Sequence, residues 1–516
     1  MNRILKYGFW LVVSVLTSCH DFLEPKSQTE YVPKLVKSLD ELLLGEVYMG
    51  PGMGDGAFYS VLGLFDDDVA IRKEWNANNE EAGLNNIRLT YTWAKDMKDN
   101  FSNYNIYGEV YKKIVGCNSV LDYIDDVQGT EIEKNRVMGQ ALAFRGYFYF
   151  HLVNLYGQPY SFNKNALGVP LKLNSKLSTG GMPRNTVEEV YTRIVKDLQE
   201  AERLYKTLPE DEQNLHNNRI NLPCIQLILS RVYLYMENWE QALAYGEKVI
   251  KDYNYEIMDL NSLPLPERYN DPSYMNYYTW ENPEVMFLFG NQGDVLALPM
   301  TTVQYTEYSE SGRPTYYTYN LSVVSDSLVN TYESIDLRKK HYLIWEQVGR
   351  EETPHYYRPI SKYEVGSNYG MSWGWSAGNW GIAFKVTEAY LNAAEAAACL
   401  YKETGKGEYL TRAGELVDQL RLKRIVAGAF RDCSITDPDK LISFVRDERR
   451  RELCFENHRW FDLRRYGMNE LKHVWYDKTG NSTEYVLEKN DPGFTLQIPE
   501  EAFEHNPAMV QNEPRK

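Results

Sequence analysis

Two glutamates four residues apart, Glu448 and Glu452, are the first candidates for chemistry in this chain. Carboxylates at that spacing share one face of a helix and can serve as an acid and base pair. On a helical wheel, however, Glu448, Glu452 and Phe455 fall on the apolar stripe of their segment. Carboxylates there need cationic partners, which Arg449, Arg459 or a neighbouring helix would supply. The pattern therefore favours a buried ion-pair network with a structural role and predicts no catalytic residue.

Asp66, Asp67 and Asp68 are the second candidate, because carboxylate oxygens are the ligands that Ca²⁺ prefers. The rest of an EF-type spacing is missing, so a solvated turn is favoured over a Ca²⁺ site. The eight histidines are scattered, without the HxxxH or HExxH spacing of metal-binding helices. The sequence therefore predicts no metal site and no cofactor, with Ca²⁺ as the alternative.

The first 18 residues have the features of an export signal: a cationic start, a short apolar run, and small or polar residues before Cys19. The apolar run is too short for a membrane-spanning helix, which needs roughly 20 residues. Leu16, Thr17, Ser18 and Cys19 resemble the lipobox of bacterial lipoproteins. Residues 1–18 are therefore predicted to be a lipoprotein signal peptide, and Cys19 is predicted to be lipidated.

Residues 19–516 are predicted to form a single domain, because no linker or low-complexity tract divides them. A formal net charge of −16 argues against binding to nucleic acid and against electrostatic adhesion to anionic lipid, since both are polyanions. We therefore expect membrane attachment through the lipid on Cys19. The five further cysteines are odd in number and irregularly spaced, so they predict no disulfide framework.

Apolar residues recur with helical period in seven long stretches, which predicts a mainly α-helical protein. Leu229, Ser230, Tyr233, Trp239 and Ala242 reproduce the spacing of small and large residues in a tetratricopeptide repeat. Helix pairs of that style stack into a curved superhelix. The predicted helical stretches are 104–127, 131–156, 186–206, 222–251, 385–402, 408–427 and 438–466.

Between residues 254 and 384, the helical period gives way to short segments rich in Tyr, Trp, Gly, Pro and Asn. So long an irregular region is usually functional or disordered, and its aromatic content argues against disorder. The domain is therefore divided into an N-terminal helical part with tetratricopeptide-like pairs (19–253), an irregular aromatic-rich ligand region (254–384) and a C-terminal helical part (385–516).

The run from Arg446 to Gly467 resembles the C-terminal signature of the RagB/SusD family. The helix around Arg145, the Gly-x-Pro turn at 157–159 and the Asn506-Pro507 pair are similar to further family features, so the resemblance spans the mature chain. It implies a SusD-like α-superhelix in which the signature residues have packing roles. These structural residues are Arg145, Glu448, Arg449, Glu452, Phe455, Glu456, Arg459, Trp460, Asp462 and Arg464.

Members of that family are surface lipoproteins that bind a nutrient, usually a glycan, above a SusC-like TonB-dependent barrel that imports it. The resemblance therefore implies a non-catalytic binding protein on the outer membrane, facing the cell exterior, with a glycan or a peptide as ligand. One alternative is a lipid-anchored glycoside hydrolase, which needs two opposed carboxylates about 5 to 10 Å apart in a cleft. Another is a helical-repeat scaffold for envelope assembly that binds peptides.

Sugar binding uses flat aromatic faces against pyranose C–H surfaces, with amides and acids that bind the hydroxyls. Three clusters in the sequence offer that combination, and the alternative is that their aromatics fill a satellite core. The predicted ligand residues are Trp75, Asn76 and Asn78 in the first cluster, Tyr316 and Tyr317 in the second, and Trp373, Trp375 and Trp380 in the third.

Overall fold

The computed structural model describes the helical parts of the chain and portions of the region between them. Among the described helices, none is both long and apolar enough to cross a membrane. The signal peptide and Cys19 lie outside the described residues. The described residues are 33–50, 61–73, 84–97, 106–177, 180–267, 277–291, 302–308, 311–346, 356–358, 380–477, 479–504 and 506–515.

Helices predominate over strands, which confirms the prediction of a mainly α-helical fold. Two short 3₁₀ helices, Leu260–Ser262 and Pro492–Phe494, accompany them. The α-helices are α1 (Val36–Glu46), α2 (Leu62–Phe65), α3 (Asn85–Tyr91), α4 (Ile106–Tyr123), α5 (Glu131–Tyr156), α6 (Tyr160–Asn163), α7 (Val187–Tyr205), α8 (Glu210–Gln213), α9 (Leu222–Tyr235), α10 (Trp239–Asp252), α11 (Asp326–Val329), α12 (Arg338–His341), α13 (Val386–Thr404), α14 (Gly407–Leu422), α15 (Pro438–Leu453), α16 (Arg459–Arg465) and α17 (Glu501–Glu504).

Local signals in the sequence set the ends of the long helices. Thr130 and Glu133 form a reciprocal capping box that starts α5, and Thr186 and Glu189 form another that starts α7. Each box satisfies backbone N–H groups that the first helical turn leaves without a partner. Helix α13 ends at Gly405, whose φ of 68° is a left-handed conformation that glycine adopts without strain.

Helix α5 is the centre of the core, because nearly every side chain from Gly139 to Tyr156 is buried. It packs against α4 and α7, and the chain then continues through α9, α10, α13, α14 and α15, which pack against one another. Arg145 lies in the buried part of α5 and donates to both carboxylate oxygens of Asp197 at 2.8 Å. A buried bidentate pair of this kind fixes α5 against α7.

Two predicted helical stretches are each broken into two helices. The stretch 222–251 is interrupted at Glu237, whose φ is 57°, and the stretch 438–466 is interrupted at Phe455 and Asn457, with φ of 61° and 62°. A left-handed residue ends the i to i−4 hydrogen bonding of a helix. Phe455 therefore lies beyond the end of α15, and its predicted place on the same helical stripe as Glu448 is wrong.

The described strands form two-stranded antiparallel pairs. Several of them fall in the region predicted to be irregular, together with α11 and α12, and the three-part division of the domain stays a prediction. The pairs are β1 (Val69–Ile71) with β5 (Ser322–Val324), β2 (Val285–Asn291) with β8 (Trp380–Lys385), β3 (Thr302–Tyr308) with β4 (Pro314–Asn320), β6 (Ile344–Glu346) with β7 (Tyr356–Arg358), and β9 (Leu471–Tyr476) with β10 (Ser482–Leu487).

Replacing Gly246 by Ala is expected to lower the free energy of unfolding by about 1–3 kcal/mol, because the site is already full. A Cβ at Gly246 would lie 3.0 Å from both the Ala389 carbonyl oxygen and the Ala393 Cβ, where α10 crosses α13. The matched control is Gly414→Ala in α14, where the nearest atom is 4.0 Å away. The free energy of unfolding of that control should rise by about 0.5–1 kcal/mol, because alanine has a higher helix propensity than glycine. Urea unfolding measures the stability of both variants. Equal changes in the free energy of unfolding would contradict close packing where α10 crosses α13.

Candidate functional site

The β1–β5 pair lies close in the sequence to two of the three clusters that are predicted to bind ligand. Beyond β1, Arg72 donates its backbone N–H to Leu321 O at 2.9 Å and its Nε to Asn320 O at 3.1 Å. Trp75 follows Arg72 by three residues, and Tyr317 precedes Asn320 by three residues. Trp75 lies outside the described residues, so its position relative to β4 stays a prediction.

Strand β4 carries both tyrosines of the second cluster, and it pairs with β3 in continuous register. Tyr317 is opposite Tyr305, and Tyr316 is opposite Thr306. Neighbouring positions of a strand belong to opposite faces of the sheet. Tyr316 and Tyr317 therefore occupy consecutive register positions of β4.

Trp380 of the third cluster lies in the core, not on the accessible loop that the sequence predicts. It begins β8 opposite Asn291 and is only 4 % exposed. Strands β2 and β8 are both largely apolar, and their pairing next to α13 buries this ring. The other residues predicted for the first and third clusters lie outside the described residues: Trp75, Asn76, Asn78, Trp373 and Trp375.

Glu452 is the centre of a buried ion-pair network on α15. Its carboxylate is 0 % exposed and accepts hydrogen bonds from Arg424 at 2.8 and 2.9 Å and from Arg338 at 3.3 Å. The Tyr342 hydroxyl donates to the same carboxylate at 3.1 Å. Burial opposes ionisation, but the two guanidinium groups hold the pKa of Glu452 well below its ordinary value. Glu452 is therefore ionised at neutral pH and serves as a structural counter-ion.

Glu448 extends the same network one turn earlier on α15. It accepts from Arg338 Nη2 at 2.8 Å and from Arg451 Nη2 at 2.8 Å. Burial again opposes ionisation, and the charges of Arg338 and Arg451 lower the pKa of Glu448 to about 2. Because Arg338 belongs to α12 and Arg424 follows α14, the two glutamates hold three segments of the chain together. Glu448 and Glu452, the candidate acid and base pair, are thus both engaged in buried ion pairs.

A second group of ion pairs joins α13, α15 and α16. Arg449 donates from Nε to Asp462 Oδ2 and from Nη1 to Asn392 Oδ1, both at 2.8 Å. Arg465 donates to the two oxygens of Glu395 at 2.8 and 2.6 Å. Burial opposes ionisation of Glu395, but its arginine partners lower its pKa to about 2. These bonds align α16 with α15 across the left-handed turn at Phe455.

Arg464 has a different role, because its partners are backbone carbonyl oxygens. It donates to the carbonyl oxygens of Asn154 and Gly157 at the C-terminal end of α5, and Arg184 donates to Tyr156 O at 2.8 Å. The last carbonyl groups of a helix lack partners within the helix and carry partial negative charge. Burial lowers the pKa of Arg464 to about 10, so the group remains a cation at neutral pH. The two arginines therefore cap α5 at the Gly-x-Pro turn.

The remaining signature residues also pack within the protein. The Trp460 ring lies between Phe65 and Phe494, with ring centroids 5.2 and 5.4 Å away. Glu456 accepts from Lys385 Nζ at 2.7 Å, which connects the segment after α15 to the end of β8. Every signature residue that the resemblance assigned to packing thus has a partner inside the described part of the chain.

The three aspartates that precede β1 contact the same signature. Asp67 accepts from Arg459 at 2.6 and 2.9 Å, and Asp68 accepts from Arg450 at 2.8 Å. Asp66 is buried, and burial together with the charges of its two neighbours raises its pKa well above the ordinary value. The predicted solvated turn is therefore wrong, because Asp66 and Asp68 are buried and arginines bind Asp67 and Asp68. No cluster of three metal-ligating side chains occurs within the described ranges.

A surface cleft of about 520 Å³ lies next to the C-terminal tail. It contains one aromatic residue and none of the residues predicted to bind ligand. Its wall is formed by Lys95, Asp96, Gln497, Glu500, Phe503, Gln511 and Pro514.

Two family models match this chain. One, described as starch-binding associating with outer membrane, matches residues 21–234, and the SusD family model matches residues 350–514. The chain is 20% identical to the SusD-like protein P25 of Formosa agariphila over 561 aligned positions, covering 99% of this chain and 98% of that protein.

Solved structures show the same fold. A putative sugar binding protein from Bacteroides vulgatus superposes with a TM-score of 0.66 and 24% identity, covering 94% of this chain and 99% of that one. A SusD superfamily protein from Bacteroides thetaiotaomicron gives a TM-score of 0.66 at 22% identity, covering 93% and 100%. The chain thus shares its fold with these solved proteins. With both ends of the chain matched by its models, the protein belongs to the RagB/SusD family.

Proposed function

We propose that this protein is a lipid-anchored, non-catalytic glycan-binding protein of the outer membrane, facing the cell exterior, that passes its ligand to a SusC-like TonB-dependent barrel. The observation that carries the proposal is the β1–β5 pair, which joins Arg72, three residues before Trp75 in the sequence, to Asn320 at the end of β4. The turn before β1 is fixed to α15 and α16 by Asp67 and Asp68. A rigid base of this kind lowers the entropy lost when aromatic residues bind a ligand.

The comparisons support the class of ligand and the location. One matching family model is described as starch-binding and associated with the outer membrane, and one solved relative is described as a sugar binding protein. Glu448 and Glu452, the carboxylates that the sequence offered for catalysis, are occupied by arginines, which favours binding over hydrolysis. Lipidation of Cys19 would keep the domain at the membrane next to its barrel.

Replacing Trp75 or Trp373 by Ala is expected to weaken glycan binding by about 2 kcal/mol, roughly thirtyfold, because a stacking platform is lost. Replacing Asn78 by Ala should cost less, since one amide forms only one or two hydrogen bonds. Calorimetric titration of residues 20–516 with panels of oligosaccharides and peptides measures the affinity of each variant. Analysis of the products then shows whether any saccharide has been cleaved. Phe162→Ala is the control, because this ring is exposed and belongs to none of the clusters. Shortened saccharides among the products would contradict the non-catalytic role.

A further inference from the structure

A separate group of aromatic side chains lies at the surface between α8 and the start of β2. His216 is exposed on the loop before α9, and its ring is parallel to that of Tyr255, at 3° with centroids 5.6 Å apart. The half-buried ring of Trp280 lies 6.1 Å from His216, inclined by 39°. Three rings from distant points of the chain therefore form one aromatic surface that opens to solvent at His216.

The base of this surface is held rigidly by buried polar groups. The Tyr255 hydroxyl donates to Asn214 Oδ1 at 2.6 Å. Asn221 donates to the same oxygen at 3.3 Å and to Met286 O at 2.8 Å, and its own side-chain oxygen caps the start of α9. Tyr255, against which His216 stacks, is therefore fixed to α9 and β2 before any ligand arrives. A ligand that stacks on such rings loses less conformational free energy than one that must order them.

Exposed polar and acidic residues adjoin the three rings in the sequence. Asn217 and Asn218 follow His216, Glu256 follows Tyr255, and Glu281 follows Trp280, and all four are exposed. Amide and carboxylate groups bind sugar hydroxyls, while the rings match the C–H faces of a pyranose. The charges of Glu256 and Glu281, together with the net charge of −16, disfavour anionic ligands such as uronates and sulfated sugars.

We infer that His216, Tyr255 and Trp280 form a second subsite, which binds an uncharged saccharide. This inference rests on the proposed function, which supplies a glycan long enough to touch the protein at more than one place. Rings that only filled a core would all be buried, whereas here only Tyr255 is buried, Trp280 is partly buried and His216 is exposed. A second subsite raises the affinity for a polymer through effective concentration, and it contributes little to the binding of a short oligosaccharide.

Affinity gel electrophoresis tests the subsite with soluble starch, xylan and polygalacturonate as the immobilised polymers. The proteins compared are residues 20–516 unmutated, His216→Ala, Trp280→Ala, and Phe162→Ala as the control for loss of an exposed ring. His216→Ala and Trp280→Ala should each weaken retardation by a neutral polymer about three- to tenfold. Phe162→Ala should migrate like the unmutated protein, and polygalacturonate should not distinguish the four.

The outcomes separate this inference from the proposed function. If no neutral polymer retards the unmutated protein, the proposed function and the subsite both fail. If a polymer retards it and His216→Ala is retarded equally, the subsite alone fails, whatever Trp280→Ala does. Because His216 is exposed, its removal should leave the melting temperature unchanged. Loss of binding to a peptide panel in His216→Ala, with glycan binding unaffected, would also overturn the saccharide assignment.

Discussion

Replacing Glu452 by Gln is expected to lower the free energy of unfolding by about 3–5 kcal/mol, because it removes a negative charge that two buried cations share. Arg424 and Arg338 are both 0 % exposed, and each donates to the Glu452 carboxylate. A glutamine keeps the size of the side chain but removes its charge, so Arg424 keeps only Glu284, and Arg338 keeps Asp336 and Glu448, as carboxylate partners. Urea unfolding followed by circular dichroism measures the change at pH 7.

The matched control for this experiment is Glu41→Gln, the same substitution at the surface. Glu41 pairs with Lys37 at 3.9 Å, and the two side chains are 63 % and 83 % exposed. Water and salt screen that pair, so its loss should change the free energy of unfolding by less than about 0.5 kcal/mol. A Glu452→Gln variant that is as stable as this control would show that the network contributes nothing to stability.

The protein is expected to unfold in acid at a pH well above the value at which all of its surface carboxylates are protonated. The pKa values of Glu448 and Glu395 are lowered from 4.5 to about 2 by their arginine partners. The unfolded chain therefore binds protons that the folded chain does not, as the pH falls from about 5 to about 2. Each glutamate contributes about 3 kcal/mol of stability at neutral pH, and this contribution is lost across that range.

Three other buried residues modify this dependence of stability on pH. Burial lowers the pKa of His151 and His458 well below the ordinary value, so the unfolded chain gains protons first and stability begins to fall below about pH 6.5. The raised pKa of Asp66 acts in the opposite direction, because the folded chain takes up that proton more readily.

Urea unfolding of the unmutated protein and of Glu448→Gln, at pH 7 and at pH 3, tests whether the pKa of Glu448 is lowered in the folded protein. The variant should be less stable than the unmutated protein at pH 7, but its stability should fall by about 2 kcal/mol less between the two pH values. Equal pH dependence in the two proteins would contradict the lowered pKa of Glu448. Glu41→Gln again serves as the exposed control.

The helical part of the fold was predictable because it depends on local periodicity. The stretch predicted at 131–156 coincides with α5, whose ends are set by a capping box and by a Gly-x-Pro turn. The tetratricopeptide-like spacing implies a turn between Tyr233 and Trp239, where the break at Glu237 occurs. The break at Phe455 was not predictable, since this residue is neither a glycine nor a proline and its left-handed conformation accompanies packing against the core.

The ion-pair network was only half predictable. The helical wheel indicated that Glu448 and Glu452 need buried cations, but Arg338 and Arg424 come from other segments, with no signal near the glutamates. The aromatic surface at His216 was missed altogether. Its members lie far apart in the sequence, and only the tertiary fold brings them together.

The β1–β5 pair has a consequence for how the protein reaches its binding-competent state. Arg72 and Asn320 are 248 residues apart in the chain, yet they meet within hydrogen-bond distance. Closing so long a loop adds little to the equilibrium cost, because that cost grows only with the logarithm of loop length. Contacts of high sequence separation nevertheless form slowly. The predicted ligand region should therefore reach its final structure after the helices have formed. During refolding, glycan binding should then appear later than the helical circular dichroism signal.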